Sequence, residues 1–364
     1  MARTTLLTGF PANELARRVL PRLLELEPET EVIALVPERF LDRAEEWLSA
    51  LPASQRQRTS TLVGDVAALD LGLSGAEYLE LAGKLHAIHH CATVTYSGAP
   101  FEMAERVNVG GTYEVLELAG HARQLERVVH WSSIAATGDR GGTVNEDELV
   151  QPRSNALAQT RYRAEKLVES ARAKKLPVTL LRTAMLVGDS RTGRLARIEG
   201  AHLLISALLN APRDVPVLRP AHADAKLQVV PIDYAVEAGL AIARAADTIG
   251  HNYHVIDPAA PTLDEALVAI AEILGKPHPR GGLPAGLTQA MMRLPVVDRL
   301  VHAQRALLDE LGREVRYDDS NAHPVLRRNG LACPAFGSYV GKLVAHVERE
   351  RKSDRPLPSF HLGR

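Results

Sequence analysis

The sequence predicts an α/β protein: a doubly wound parallel sheet covered by helices, followed by a smaller, mostly helical lobe. Three observations carry this reading. Short apolar runs alternate with stretches of helical periodicity through the first half of the chain. The runs are nearly continuous in apolar residues, as strands buried on both faces are. A polar turn follows most of them, and open parallel sheets bind ligands beyond the carboxyl ends of their strands.

The elements follow in order. Thr4–Leu7 reads as a strand, Thr8-Gly9-Phe10-Pro11-Ala12 as a tight turn, and Glu14–Leu26 as a helix. Glu31–Val36 is a compact buried strand, broken by Pro37-Glu38-Arg39, and Asp42–Leu51 an amphipathic helix. Ser60–Val63 is a third strand ending at Gly64-Asp65, and Ala76–Ala82 a helix. Leu85–Cys91 is a fourth strand, Glu102–Ala119 a long helix and Arg127–Ser132 a fifth strand. Gly138–Gln151 is a polar loop, Asn155–Lys174 a helix and Pro177–Leu181 a sixth strand.

Beyond about residue 190 the alternation weakens. Helices are expected at Arg197–Asn210, Asp233–Asp247, Leu263–Leu274, Gly286–Leu294, Val297–Leu311 and Phe336–Glu350, and strands at Gln228–Pro231 and Tyr253–Ile256. The expected division is a sheet domain over 1–190, completed by about 226–260, a helical substrate-binding lobe over 191–350, and a polar tail over 351–364.

Size and charge narrow the function. A chain of 364 residues can bury a large core, and 24% charged residues are ordinary for a globular protein. A net charge of −1 gives no global field for nucleic acid. Cys91 and Cys333 form neither a disulfide framework nor a zinc spacing, which fits a reducing, cytoplasmic setting. The chain enters an apolar strand almost at once, leaving no room for a secretory leader. No apolar run reaches the length of a stable membrane span.

The chemistry centres on Tyr162 and Lys166. Four residues apart in a helix, they share one face about one turn apart. An ammonium beside a phenol stabilises the phenolate and prepares it for proton exchange near neutral pH. A solvated helix face would show the same spacing, so the surrounding motifs decide.

The first turn lies where a dinucleotide pyrophosphate would meet a helix N-terminus. Of the three glycines of that fingerprint only Gly9 is present. Ala12 stands at the second position, and Leu15, or Ala16 with one inserted residue, at the third. No acid ends the second strand to select a ribose hydroxyl. Arg39 and Arg43 follow it and suit a phosphate, which favours NADP(H) over NAD(H); an ordinary solvated helix start is the plainer reading. Asp65 could accept from an adenine amino group or serve a turn. His89-His90-Cys91 invites a metal, but adjacent strand residues point to opposite faces, so none is expected. Backbone lying over a cofactor ribose is the better role for Cys91-Ala92-Thr93. Ser132-Ser133 ends the fifth strand without a hydrolase elbow around it.

Taken in order, these motifs form a pattern: Thr-Gly after strand one, Gly-Asp after strand three, Cys-Ala-Thr after strand four, Val107-Asn108-Val109-Gly110-Gly111-Thr112, Ser-Ser, and Tyr-x-x-x-Lys. The chain resembles the extended short-chain dehydrogenases/reductases. More narrowly, Gly64-Asp65 through Leu71-Gly72-Leu73-Ser74 and Leu181-Arg182-Thr183-Ala184 through Gly188-Asp189-Ser190-Arg191-Thr192-Gly193 are similar to stretches of the thioester reductase and fatty acyl reductase, or male sterility, branch. The likeness covers roughly residues 4–260.

The resemblance implies a Rossmann-like fold and an NAD(P)-dependent oxidoreductase. Tyr162 matches the catalytic acid/base, Lys166 its pKa-lowering partner, and Ser133 the hydroxyl on the substrate oxygen; Ser132 is its less favoured neighbour. Asn108 matches a helix asparagine linked to site architecture or proton relay. Cofactor contacts are implied at Thr8, Gly9, Phe10, Pro11, Ala12, Arg39, Asp65, Val66, Cys91, Ala92, Thr93, Tyr162, Lys166, Thr183 and Met185. Two positions depart from the pattern: the first turn, and Thr183-Ala184 in place of Pro-Gly near the nicotinamide. The family commonly dimerises through a helix pair, so a homodimer is implied as well.

The expected substrate is a fatty-acyl thioester or other lipid-like carbonyl, delivered on a separate acyl carrier or coenzyme A. Leu203–Leu209 and Leu283–Val301 could line its pocket or simply form core. A smaller ketone or alcohol, or a nucleotide sugar undergoing epimerisation, fits the same catalytic set. A cofactor-binding protein without turnover fits the depleted first turn.

Overall fold

A computed structural model describes residues 3–95, 99–138, 140–152, 156–196, 200–210, 222–280 and 314–352. The chain divides into two compact units. The first takes Met1–Ala184, Ala235–Val255 and Tyr317–Ala332; the second takes Met185–Tyr234, Ile256–Arg316 and Cys333–Arg364.

In the first unit seven strands form one sheet: β1 Arg3–Thr8, β2 Thr30–Val36, β3 Thr59–Val63, β4 Leu85–His90, β5 Arg127–Ser133, β6 Val178–Thr183 and β7 Asn252–Val255. Their order is β7-β6-β5-β4-β1-β2-β3, and every pairing is parallel. The strand order reverses beside β1, which is where such sheets open a ligand crevice.

The linking helices are amphipathic for a stated reason. Helix α1, Glu14–Leu26, buries Leu15, Ala16, Val19, Leu20, Leu23 and Leu24, a stripe repeating every three to four residues. Helices α2 (Leu41–Ser49), α3 (Gly75–Lys84), α4 (Gly111–His121) and α5 (Ala156–Ala173) continue the series, and the helix Ile232–Arg244 precedes β7. Leu81, Val115, Leu118 and Val168 from the helices pack with Leu6, Leu35, Ile88, Val128 and Leu180 from the strands. Each such fully buried side chain contributes about 1.5–3 kcal/mol.

The second unit is mostly helical. Met185–Val187 and Val229–Pro231 form a short parallel pair. Helices His202–Asn210, Leu263–Ile273 and Phe336–Lys352 pack over it around Ile205, Leu208, Leu267, Tyr339 and Leu343. Ile205 and Leu208 are therefore core, with the partly buried Leu203, Leu204 and Leu209 packed against it. The expected helices Gly286–Leu294 and Val297–Leu311, and the apolar stretch Leu283–Val301, lie outside the described residues.

The Gly188–Gly193 stretch is a packed turn. Asp189 Oδ1 accepts from the Arg191 and Thr192 N–H groups, 3.0 Å each, and Ser190 Oγ donates to Asp233 Oδ2 at 2.6 Å. A Cβ on Gly193 would lie 2.1 Å from the Lys342 carbonyl oxygen, and one on Gly188 would lie 2.1 Å from that of Gly193. Both positions require glycine on space alone.

Three expectations change. The helix expected over Glu102–Ala119 is broken: Phe101–Ala104 is α-helical, Glu105–Gly110 is a π-helical segment, and α4 resumes at Gly111. The fourth strand ends at His90, because the Cys91 carbonyl leaves the ladder to accept from Asn13 Nδ2 at 2.8 Å. Tyr317–Ala332, placed by the sequence in the second lobe, belongs to the first unit and includes the helix Ala322–Arg328. Its anchor is the buried Glu146 carboxylate, which accepts from the backbone N–H groups of His254 (2.7 Å), Ala322 (3.2 Å) and Asn321. Burial pushes that carboxyl up to about 7 against these three donors. Among the described residues no helix is long and apolar enough to cross a membrane.

Candidate active site

The turn after β1 is shaped by one glycine. Gly9 has φ +89°, and a Cβ there would lie 2.8 Å from the Ala92 nitrogen and Cys91 carbonyl carbon. A side chain is excluded both by conformation and by space. Asn13 caps α1, its Oδ1 accepting the Leu15 N–H at 2.8 Å. Phe10 is buried, edge-on to Trp47 at 5.3 Å, so only its backbone can face a ligand. Pro11 is buried as well, and Ala12 is exposed.

Beneath this turn runs a hydrogen-bond chain with a single direction. The Ala92 N–H donates to Thr8 Oγ1 (3.2 Å), whose hydroxyl donates to His90 Nδ1 (2.8 Å). His90 Nε2–H donates to Thr112 Oγ1 (3.2 Å), and Thr112 donates to the Asn108 carbonyl (2.7 Å). Each hydroxyl has one hydrogen, so the order fixes His90 as the neutral Nε2–H tautomer. Burial drives its pKa down to about 4, and does the same for His89, while His130 is pushed well below the ordinary value. His89 and His90, adjacent in β4, point to opposite faces of the sheet. Among the described residues no group of side chains could hold a metal.

Asn108 is the junction. It is buried inside the π-helical segment. Its Oδ1 accepts from Val94 N–H (2.7 Å) and Thr93 Oγ1 (3.1 Å), and its Nδ2 donates to Thr160 Oγ1 on α5 (2.9 Å). Arg163 on α5 also pairs with Glu105 at 2.5 Å. π-segments inside α-helices recur at functional sites, and this one turns a side chain toward both the β4 end and α5.

Ser133 ends β5 and caps the short turn Ile134–Thr137, its Oγ accepting the Ala135 N–H at 3.3 Å. Among the described residues its hydroxyl hydrogen has no acceptor. Ser132, by contrast, is committed: its Oγ donates to Glu165 Oε1 at 2.6 Å. Helix α5 packs on the turn that follows Ser133, which sets the helix bearing Tyr162 and Lys166 beside it. Tyr162 is half-buried, and Lys166 is exposed with Nζ bonded to Glu169 Oε2 at 2.7 Å. That bond raises the Lys166 pKa, with Tyr162 a lesser contributor.

At the ends of β2 and β3, Arg39 and Asp65 form an ion pair at 3.0 Å, and Asp65 Oδ1 accepts the Ala67 N–H. Partial desolvation and the like charge of Arg17 lower the pKa of Arg43. Val66 is buried against Gly111. Thr183 Oγ1 donates to the Ser132 carbonyl at 3.3 Å, whereas Met185 belongs to the second unit.

Sequence reasoning missed Thr112, Thr160, Glu165 and Arg182. Arg182 alone carried a signal, a guanidinium inside the apolar run Val178–Val187.

Residues 7–239 match the model of a family described as male sterility protein. A linear gramicidin synthase polypeptide of Brevibacillus parabrevis is 24% identical over 278 residues, covering 72% of this chain and 5% of that synthase. The chain therefore spans a small fraction of that relative. Among solved structures, the terminal R domain of the myxalamid PKS-NRPS pathway superposes with a TM-score of 0.79 at 23% identity, over 98% of this chain and 93% of that one. A thiolation-reductase di-domain from an archaeal non-ribosomal peptide synthetase gives 0.74 at 16% identity, over 97% and 76%.

Proposed function

The chain belongs to the male sterility protein family, within the extended short-chain dehydrogenases/reductases, and from that membership we propose that it is an NAD(P)H-dependent reductase of an acyl thioester. The observation that carries the reading is the uncommitted Ser133 hydroxyl at the carboxyl end of β5, beside the helix of Tyr162 and Lys166.

The residues present fit the cofactor. Gly9 keeps the tight turn, Ala12 leaves the helix approach open with a single methyl, and the α1 N-terminus favours phosphate. The Cys91–Thr93 backbone would lie along the ribose, and Thr183 near the ring. Arg39 and Arg43 suit a 2′-phosphate, which favours NADPH; Arg39 would exchange Asp65 for it, freeing that carboxylate for the adenine amino group. Bound there, the cofactor supplies hydride.

The protein's own groups manage charge and protons. As negative charge develops on the carbonyl oxygen, Ser133 donates a hydrogen bond to it and Tyr162 delivers a proton. Lys166, released from Glu169, stabilises the phenolate left on Tyr162. Asn108 holds α5 against the β4 end throughout. The relatives named above are a linear gramicidin synthase subunit, a terminal R domain of a PKS-NRPS pathway and a thiolation-reductase di-domain of a non-ribosomal peptide synthetase. They support a thioester on an acyl carrier as the substrate.

Thermal shift with NADPH and NADH tests the cofactor, and NADPH consumption with acyl-CoAs, ketones and nucleotide sugars tests the substrate. Tyr162→Phe is expected to keep NADPH binding and lower turnover by about 100-fold or more. Unchanged turnover would remove Tyr162 from the chemistry, and the failure of both nucleotides to bind would end the reductase reading.

A further inference from the structure

Glu165 sits between the two reactive positions of α5, three residues after Tyr162 and one before Lys166. It is 1% exposed, as is Arg182, the largest fully buried side chain among the described residues. Arg182 Nε lies 3.0 Å from Glu165 Oε2, and Nη2 lies 2.9 Å from the same oxygen. The other carboxylate oxygen accepts the Ser132 hydroxyl at 2.6 Å. The rest of the guanidinium is used as well: Nη1 donates to the Glu146 carbonyl at 2.8 Å and to His254 Nε2 at 3.2 Å. His254 in turn donates Nδ1–H to the Asp318 carbonyl at 2.7 Å.

Strand register explains why these groups meet. Ser132 is paired with Arg182, and Ser133 with Thr183, across β5 and β6. Ser132 is thus fixed on both sides, by its hydroxyl to α5 and by its carbonyl to Thr183. A buried ion pair of this kind adds little net stability over apolar residues of the same volume. What it does supply is a fixed geometry, because two guanidinium N–H groups converge on one carboxylate oxygen while Nε also lies 3.2 Å from the other.

We propose that Glu165 is a positioning residue: clamped by Arg182, it holds the Ser132 hydroxyl and so sets the distance between Ser133 on β5 and Tyr162 on α5. The proposal deepens the reductase reading and rests on it for its kinetic arm only. Glu165 touches no reacting atom; it acts through the two residues that do.

The test uses Ser132→Ala, which removes one hydroxyl and leaves the ion pair whole, with Ser132→Thr as the conservative rescue and Glu165→Gln as a second variant. Octanoyl-CoA and NADPH serve as probes, and tyrosine carrying 13C at Cζ reports on Tyr162, assigned by its loss in Tyr162→Phe. At a temperature where every variant is folded, Ser132→Ala is expected to lower kcat by about tenfold at constant KM for NADPH, and Ser132→Thr to restore it. The Tyr162 resonance should move in Ser132→Ala and return in Ser132→Thr. A Tyr162 resonance and kcat identical to wild type in Ser132→Ala overturn the proposal, whether or not Glu165→Gln folds. If wild type turns over no thioester, the reductase reading falls and the Tyr162 resonance alone decides the positioning role.

Discussion

Two buried polar clusters lie in the first unit, and they solve the same problem in opposite ways. Beneath the first turn, His90 and His130 are buried neutral with ring centroids 5.2 Å apart, and on the opposite face of the sheet His89 is buried neutral as well, its Nδ1 accepting from Trp131 Nε1–H at 3.2 Å. Beneath the Tyr162 helix, Glu165 and Arg182 are buried charged. The difference follows from what each side chain can give up. An imidazole sheds its proton when desolvation makes charge costly, and then needs only one donor and one acceptor. A guanidinium cannot, so Arg182 had to be given a carboxylate and two further acceptors. The neutral cluster braces the turn proposed to hold cofactor; the charged one braces the end of β5.

Breaking the charged cluster should cost most. Glu165→Ala leaves Arg182 buried without a counter-charge, and denaturant unfolding should show a loss of about 3–5 kcal/mol. Replacing both partners by apolar residues of similar volume, Glu165→Leu with Arg182→Met, should recover most of that stability. Equal losses in the single and double variants would show that the pair itself stabilises the fold.

The neutral cluster should fail in acid instead. His89 and His90 titrate near 4 in the folded chain, below the ordinary value of 6.5. Their contribution is present above the unfolded value and is lost as pH falls through the folded one. Lowering pH from 7 to 5 should therefore remove about 2 kcal/mol for each. Urea midpoints across that range check this, and a His90→Gln variant should show a shallower slope. An unaltered slope would mean that His90 is not held neutral.

Smallest is the effect of one hydroxyl. Thr112→Val keeps the shape but leaves His90 Nε2–H without its acceptor and should cost about 1–2 kcal/mol. NADPH affinity should weaken with it if the chain from Asn108 to Thr8 braces the cofactor turn. Unchanged affinity at reduced stability would confine that chain to packing.

How much of this was legible in the sequence differs by element. The inner strands announce themselves as apolar runs, because burial on both faces leaves few polar positions, whereas the edge strand β3 has no buried residue and shows only as Leu62-Val63 before Gly64. The motif order led to Ser133, Tyr162 and Asn108, and the family assignment rests on the same stretch. The π-segment did not show, since Glu102–Ala119 keeps helical composition throughout and one inserted residue shifts the ladder without changing it. Glu165 was hidden by its neighbours: within Arg161–Lys166 it reads as one more charge on a solvated helix. Only Arg182, inside a run otherwise nearly free of charge, asks for a buried partner. The return of Tyr317–Ala332 rests on backbone N–H groups meeting Glu146, and backbone groups leave no mark in a sequence.

The glycine turn of the second unit has a consequence in time as well as space. Lys342 Nζ reaches the Ser190 carbonyl at 2.8 Å across 152 positions of chain, and Gly193 admits the Lys342 backbone only because it has no side chain. On the ribosome the turn emerges long before the helix that seats on it. The first unit waits too, since β7 and the helix Ala322–Arg328 are made after much of the second unit has emerged. Neither unit can finish before the other is under way, so nascent chains must hold two half-built cores at once.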